Sequence, residues 1–165
     1  MWQNKGFMKD DSIDVTAAMQ QLELLLQQVP QKYQGLSTDE LLLPPAPGKW
    51  SRQQVLGHLI DSAINNLKRV TDAQIAEQPY LITPYQQNEL IIVNNYQQLP
   101  LQHLLDLWQS LNQQIIFVVQ NIPAYRLLFE VHPQYNQTGT QTLGWLICDY
   151  VAHMEHHLTN LSPQN

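Results

Sequence analysis

The stretch His153-Met154-Glu155-His156-His157 concentrates side chains able to bind a metal ion. His153 and His157 are four residues apart. On a helix such positions lie one above the other on one face, so both imidazoles can reach a single ion. Neutral imidazole suits zinc, nickel, copper and iron. This is not the zinc-protease pattern, which needs a glutamate directly after the first histidine; Met154 stands there, and Glu155 projects to the opposite side. The same residues also read as a solvated helix end whose histidines favour the C-terminal dipole. One helix face cannot surround an ion, so a third ligand has to come from elsewhere, and His58 is the best candidate.

His58, Ser62, Asn65 and Arg69 recur at helical spacing and form a narrow polar stripe, set apart from the Val55-Leu59-Ala63-Leu67 face. Such a stripe either faces solvent or lines a cleft, and periodicity alone favours solvent. The same projection puts His157 beside the apolar face of its helix, His153 at the rim and His156 on the surface. Asp149 lies one turn before His153; it is either a carboxylate that orients His153 or a plain surface acid. His103 and His132 read as structural or solvated, and Cys148 shows no sign of being a nucleophile. There is no phosphate-binding glycine loop, no nucleophile elbow and no pair of catalytic carboxylates, so no catalytic residue is identified.

The elements that must carry these residues are helical. Residues 1–11 read as a loose arm. Ser12 or Asp11 is the expected cap of a helix through Val15, Met19, Leu22, Leu25, Leu26 and Val29. Pro44, Pro45 and Pro47 make 35–48 a long connection. Ser51 and Gln54 form a capping box, flanked by Trp50 and Val55, and open a helix that has ended by Pro79. Leu90 to Val93 predicts one or two helical turns. Pro100 suits the first turn of a third helix, closed by Pro123. Leu127 to Val131 reads as a short strand or extended chain. Thr142 is the expected cap of a last helix running to about Leu161. The prediction is an all-α four-helix bundle with long connections, in a single domain over 1–165.

Composition narrows the function. The net charge is −6, with 8 Lys and Arg against 14 Asp and Glu, so no basic row exists to neutralise phosphates and nucleic acid is not an expected partner. The lone cysteine rules out an internal disulfide framework and suits a reducing cytoplasm. The N-terminus lacks the apolar core of a signal peptide, and no run is long enough to span a membrane.

Two blocks, in this order, resemble the DinB/YfiT-like superfamily. The first is Gly48-Lys49-Trp50-Ser51-Arg52-Gln53-Gln54-Val55-Leu56-Gly57-His58-Leu59-Ile60-Asp61-Ser62, followed by Asn65-Asn66 and Arg69. The second is Val151-Ala152-His153-Met154-Glu155-His156-His157-Leu158. Pro79-Tyr80 and Glu130-Val131-His132-Pro133 are weaker landmarks between them. The resemblance implies a four-helix bundle, often a homodimer, with a divalent metal in an open cleft held by His58, His153 and His157. Zinc or nickel is the expected ion. It implies a metal-dependent enzyme that transfers a low-molecular-weight thiol such as bacillithiol to an electrophile, or a metal-dependent hydrolase; a non-catalytic metal-binding bundle is the third reading. Asp149, Arg69 and Asn65 are the residues expected to orient a ligand or touch a small-molecule substrate. For Arg69 a surface salt bridge is an equally simple role.

Overall fold

The computed structural model describes residues 13–133 and 139–159. Helix α1 spans Val15–Gln34. Its cap is Asp14, whose carboxylate accepts from the Ala17 N–H at 2.9 Å. The expected caps, Ser12 and Asp11, lie outside the described residues; a short acidic side chain beside the first turn does the same work. Met19, Leu22, Leu25, Val29 and Tyr33 form its buried face. The helix continues past Val29 through Pro30, which has no N–H to give the Leu26 carbonyl. The side chain of Gln109, from another helix, donates to that carbonyl at 3.1 Å and replaces the missing bond.

The connection that follows is not wholly irregular. A short helix α2, Thr38–Leu42, is started by a second capping box, Ser37 with Glu40. Helix α3 spans Arg52–Asp72 and opens as predicted: the Gln54 N–H donates to Ser51 Oγ at 3.1 Å and the Ser51 N–H to Gln54 Oε1 at 2.9 Å. Strand β1 is Tyr80–Ile82, and α4, Gln87–Val93, contains the expected turns at its C-terminal end. After a 3-10 turn at Tyr96–Gln98 comes α5, Leu101–Gln120, with Pro100 one position earlier than expected, as the N-cap. A 3-10 turn over Ala124–Leu128 leads into β2, Glu130–Pro133. Strand β3, Gln141–Thr142, runs directly into α6, Leu143–Thr159, where Thr142 Oγ1 accepts from the Trp145 N–H at 3.1 Å. The expected extension of α6 to Leu161 lies outside the described residues.

The four long helices close into a ring: α1 packs on α5 and α6, and α3 packs on the same two. Leu22, Leu56, Leu59, Leu104, Leu105 and Trp108 are completely buried between them. Asn112 lies in this core, accepting from the Tyr150 hydroxyl at 2.6 Å and donating to the Trp108 carbonyl at 2.8 Å, so its two polar ends are satisfied. Beside the bundle, β1 pairs in parallel with β2 (Tyr80 opposite Val131), and β2 pairs antiparallel with β3 (Glu130 opposite Thr142).

One face of α3 grips the chain between α4 and α5. Gln53 Nε2 donates to the Tyr96 carbonyl at 2.7 Å and the Leu99 carbonyl at 3.0 Å. One turn on, Gly57 lets the Tyr96 ring lie against the helix backbone, where a methyl group would run into it. A further turn on, Asp61 Oδ1 accepts from the Tyr96 hydroxyl at 2.6 Å and from Asn94 at 3.0 Å. These contacts hold α3 in rotation about its own axis and so fix where His58 points.

Candidate metal centre

The rotation of α3 turns the His58 stripe inward. His58 is 1% exposed and Ser62 2% exposed, so the solvent-facing reading of that stripe is wrong at this end of the helix. The reason is the neighbouring helix: α6 packs against α3 and covers a face that the sequence of α3 alone marks as polar. Asn65 and Arg69, further along, are half-buried.

His58 meets the two histidines of α6. His58 Nε2 lies 3.4 Å from His153 Nε2, and His157 Nε2 lies 3.0 Å from His153 Nε2. Each ring offers a nitrogen within 4.8 Å of the other two. His153 and His157 are half-buried, and His156, one residue away, is exposed as its angular position requires. The Trp50 ring centroid lies 5.0 Å from that of His58 and covers it from the helix start.

Such a cluster is poorly suited to carrying protons. His58 is held at about 4, by burial first and then by His157. His153 is held at about 3, by burial and then by the charges of His157, His58, His156 and Arg69. His157 is held at about 4, by burial and then His156. All three are therefore neutral at pH 7 and keep a lone pair for a ligand bond. The spacing fits as well. Around a tetrahedral ion with metal–nitrogen bonds of about 2.0–2.1 Å, neighbouring ligand atoms are about 3.3 Å apart, close to the 3.0 and 3.4 Å found. His58 Nδ1 is buried without a partner among the described residues, so no acceptor on the far side of the ring fixes its tautomer.

The other expected residues divide. Arg69 lies near the cluster: its charge acts on both His153 and Asp149. Among the described residues it makes no salt bridge. Its Nη2 donates to the Thr83 carbonyl at 2.8 Å, and its guanidinium lies 5.5 Å from the centre of the Tyr85 ring. Asp149 is half-buried rather than a plain surface acid, and burial raises its carboxyl to about 6. Asn65 turns its amide back to the Asp61 carbonyl of its own helix at 2.8 Å. Of two other cations, Lys68 is taken by Asp72 at 2.6 Å, and Arg126 lies over Tyr125. Glu155 is bound on the other side, accepting from Gln21 at 2.7 Å. The sequence reading missed Tyr85. It sits in a loop with no periodicity to place it, and only the fold brings it against Ser62 and Arg69.

The DinB superfamily profile matches residues 21–160. The chain belongs to the DinB superfamily. Among its relatives is a Halalkalibacterium halodurans protein named "Putative metal-dependent hydrolase BH0277", 27% identical over 128 residues, which cover 76% of this chain and 72% of the relative. An Oceanobacillus iheyensis protein with the same description is 28% identical over 128 residues, covering 77% and 72%. In fold the chain is similar to YfiT from Bacillus subtilis, described as a probable metal-dependent hydrolase with an unusual four-helix bundle topology: the TM-score is 0.79 at 22% identity, over 98% of this chain and 91% of that one. A mycothiol-dependent maleylpyruvate isomerase shares the fold at a TM-score of 0.72 and 14% identity, over 94% of this DinB chain and 64% of the isomerase. Among the described residues no helix is long and apolar enough to cross a membrane.

Proposed function

We propose that this DinB-superfamily chain is a metal-dependent enzyme in which His58, His153 and His157 hold one divalent ion, and that it transfers a small thiol to an electrophile. The observation that carries the reading is the convergence of three neutral imidazole nitrogens from two helices. Three protein ligands leave a coordination position open, as at catalytic rather than structural zinc sites. When bound there, a divalent ion lowers the pKa of a ligated thiol or water and so supplies a nucleophile near neutral pH.

The chain's own side chains supply the rest. His153 and His157, one helical turn apart on α6, set two ligand directions, and His58 on α3 closes the third. Trp50 and the packed start of α3 keep water from the far side of His58. Arg69 adds a positive charge on the open flank, suited to drawing in an anionic cosubstrate. Support for a thiol comes from the fold shared with a mycothiol-dependent enzyme. Hydrolysis is the second reading, favoured by the names of the two sequence relatives. We also expect a cytoplasmic homodimer, to be checked by sedimentation of the purified chain.

The test is the metal content of protein purified without a histidine tag, wild type beside His157→Ala. The expected result is one ion per wild-type chain and a large loss in the variant. Loaded protein is then offered a panel of thiols with an electrophile, and a panel of esters and amides. Wild type that takes up no zinc or nickel, even after soaking, overturns the reading. Turnover of esters without any thiol dependence replaces transfer by hydrolysis.

A further inference from the structure

Arg69 on α3 and Asp149 on α6, two helices that pack on each other, carry opposite charges that act on one another, yet they do not pair. Among the described residues the ion pairs are Arg52 with Glu40 and Lys68 with Asp72. Asp149 has no hydrogen bond there either, although it is half-buried. The cause lies in what holds Arg69. One nitrogen is tied to the Thr83 carbonyl and the guanidinium lies over Tyr85, so the β1–α4 loop keeps the cation away from the carboxylate. Among the described residues, the rest of the guanidinium's donors have no hydrogen-bond partner.

Helix geometry places this split pair beside the histidines. Arg69 is eleven residues after His58, three turns on, within about 20° of the same face. Side chains on a helix lean toward its N-terminus, and Tyr85, under the guanidinium, also touches Ser62, one turn after His58. The cation therefore sits back toward the histidines, within roughly 10 Å of them, or two turns of helix. Asp149 is one turn from His153 on α6. Burial raises its carboxyl, which marks an anion short of solvation and of donors.

We propose that Arg69 and Asp149 are the two ends of a ligand subsite beside the histidine cluster, one that takes a small amino-acid-like molecule with a carboxylate for Arg69 and an ammonium for Asp149. It rests on the metal reading above and names the class of cosubstrate. A carboxylate reaches the free edge of a guanidinium already oriented by Thr83 and Tyr85, so little side-chain entropy is lost on binding. The ammonium gives Asp149 the partner the folded chain withholds. The group between them is left to face the histidines.

Cobalt(II)-loaded protein tests this, because a thiol bound to the ion gives a sulfur-to-metal absorption band from which affinity is read. The probes are L-cysteine, with both charged groups; 3-mercaptopropionate, with the carboxylate only; cysteamine, with the amine only; and 2-mercaptoethanol, with neither. Each is titrated into wild type, Arg69→Gln, Arg69→Lys and Asp149→Asn, with circular dichroism confirming the fold. Chelation of the ion by a probe's own groups is common to the four proteins and cancels in the ratio of affinities. Arg69→Gln is expected to weaken L-cysteine and 3-mercaptopropionate about tenfold and leave the other two unchanged. Asp149→Asn is expected to weaken L-cysteine and cysteamine several-fold, and Arg69→Lys to recover part of the carboxylate preference. Ratios equal across the four probes overturn the subsite while leaving the metal site standing. Protein that shows no cobalt d–d band overturns the metal reading, and the subsite with it.

Discussion

The histidine cluster should make the metal-free fold sensitive to mild acid, and the share that His58 contributes can be isolated. In the unfolded chain His58 takes up its proton near 6.5; in the fold, burial and then His157 delay that until about 4. Between these values the unfolded state binds more protons, so stability is lost as pH falls through that window and is fully retained above it. Integrating the two titrations gives a loss of about 2 kcal/mol between pH 7.5 and pH 5 from His58 alone. Asp149 acts in the opposite sense. Its folded value of about 6 stands above 3.8, so protonation favours the fold over part of the same range and flattens the wild-type curve. The difference between wild type and His58→Gln removes that contribution, because both proteins keep Asp149. The assay is urea unfolding in EDTA at both pH values, followed by circular dichroism. Wild type should lose about 2 kcal/mol more than His58→Gln, roughly a 1 M difference in midpoint shift. With zinc at a hundred times its dissociation constant, pH 7.5, wild type should gain about 2.7 kcal/mol and the variant far less. Equal acid losses in the two proteins would refute the claim that His58 is buried and neutral, and with it the geometry of the cluster.

Other expectations concern the frame around the site. Gln109→Leu leaves the Leu26 carbonyl opposite Pro30 without a donor and should cost about 1 kcal/mol in urea unfolding; in a Pro30→Ala background, where the backbone N–H returns, the same change should cost markedly less. Gly57→Ala drives a methyl group into the Tyr96 ring and should cost about 1–3 kcal/mol. Because that contact sets the rotation of α3, metal affinity should fall with it, as isothermal calorimetry would show. Tyr150→Phe strands the carbonyl end of buried Asn112 and should cost about 1–3 kcal/mol, without changing metal content.

Much of this frame was legible one helix at a time. The Ser51–Gln54 box, the Thr142 cap and the apolar stripes are local, so they could be read from spacing. The second box at Ser37 and Glu40 is equally local, and the prolines that follow it hid it. That α1 continues through Pro30 was not legible locally, because the replacement donor is a side chain seventy-nine residues away. The short sheet was illegible because β1 pairs with a strand some fifty residues later.

For the site, the sequence by itself determined that His153 and His157 share a helix face, and that His58, Ser62, Asn65 and Arg69 share another. Periodicity measures angles about a helix's own axis. It carries no information on which face a second helix will cover, and so it favoured solvent for His58. The tertiary structure decided that point: α6 packs on α3, Gln53, Gly57 and Asp61 fix the rotation, and the start of a polar stripe is buried between helices. It also decided that Arg69 is held by Thr83 and Tyr85 rather than by Asp149. Neither outcome is encoded in any one segment, because each depends on the packing free energy of elements that meet only when the whole bundle closes.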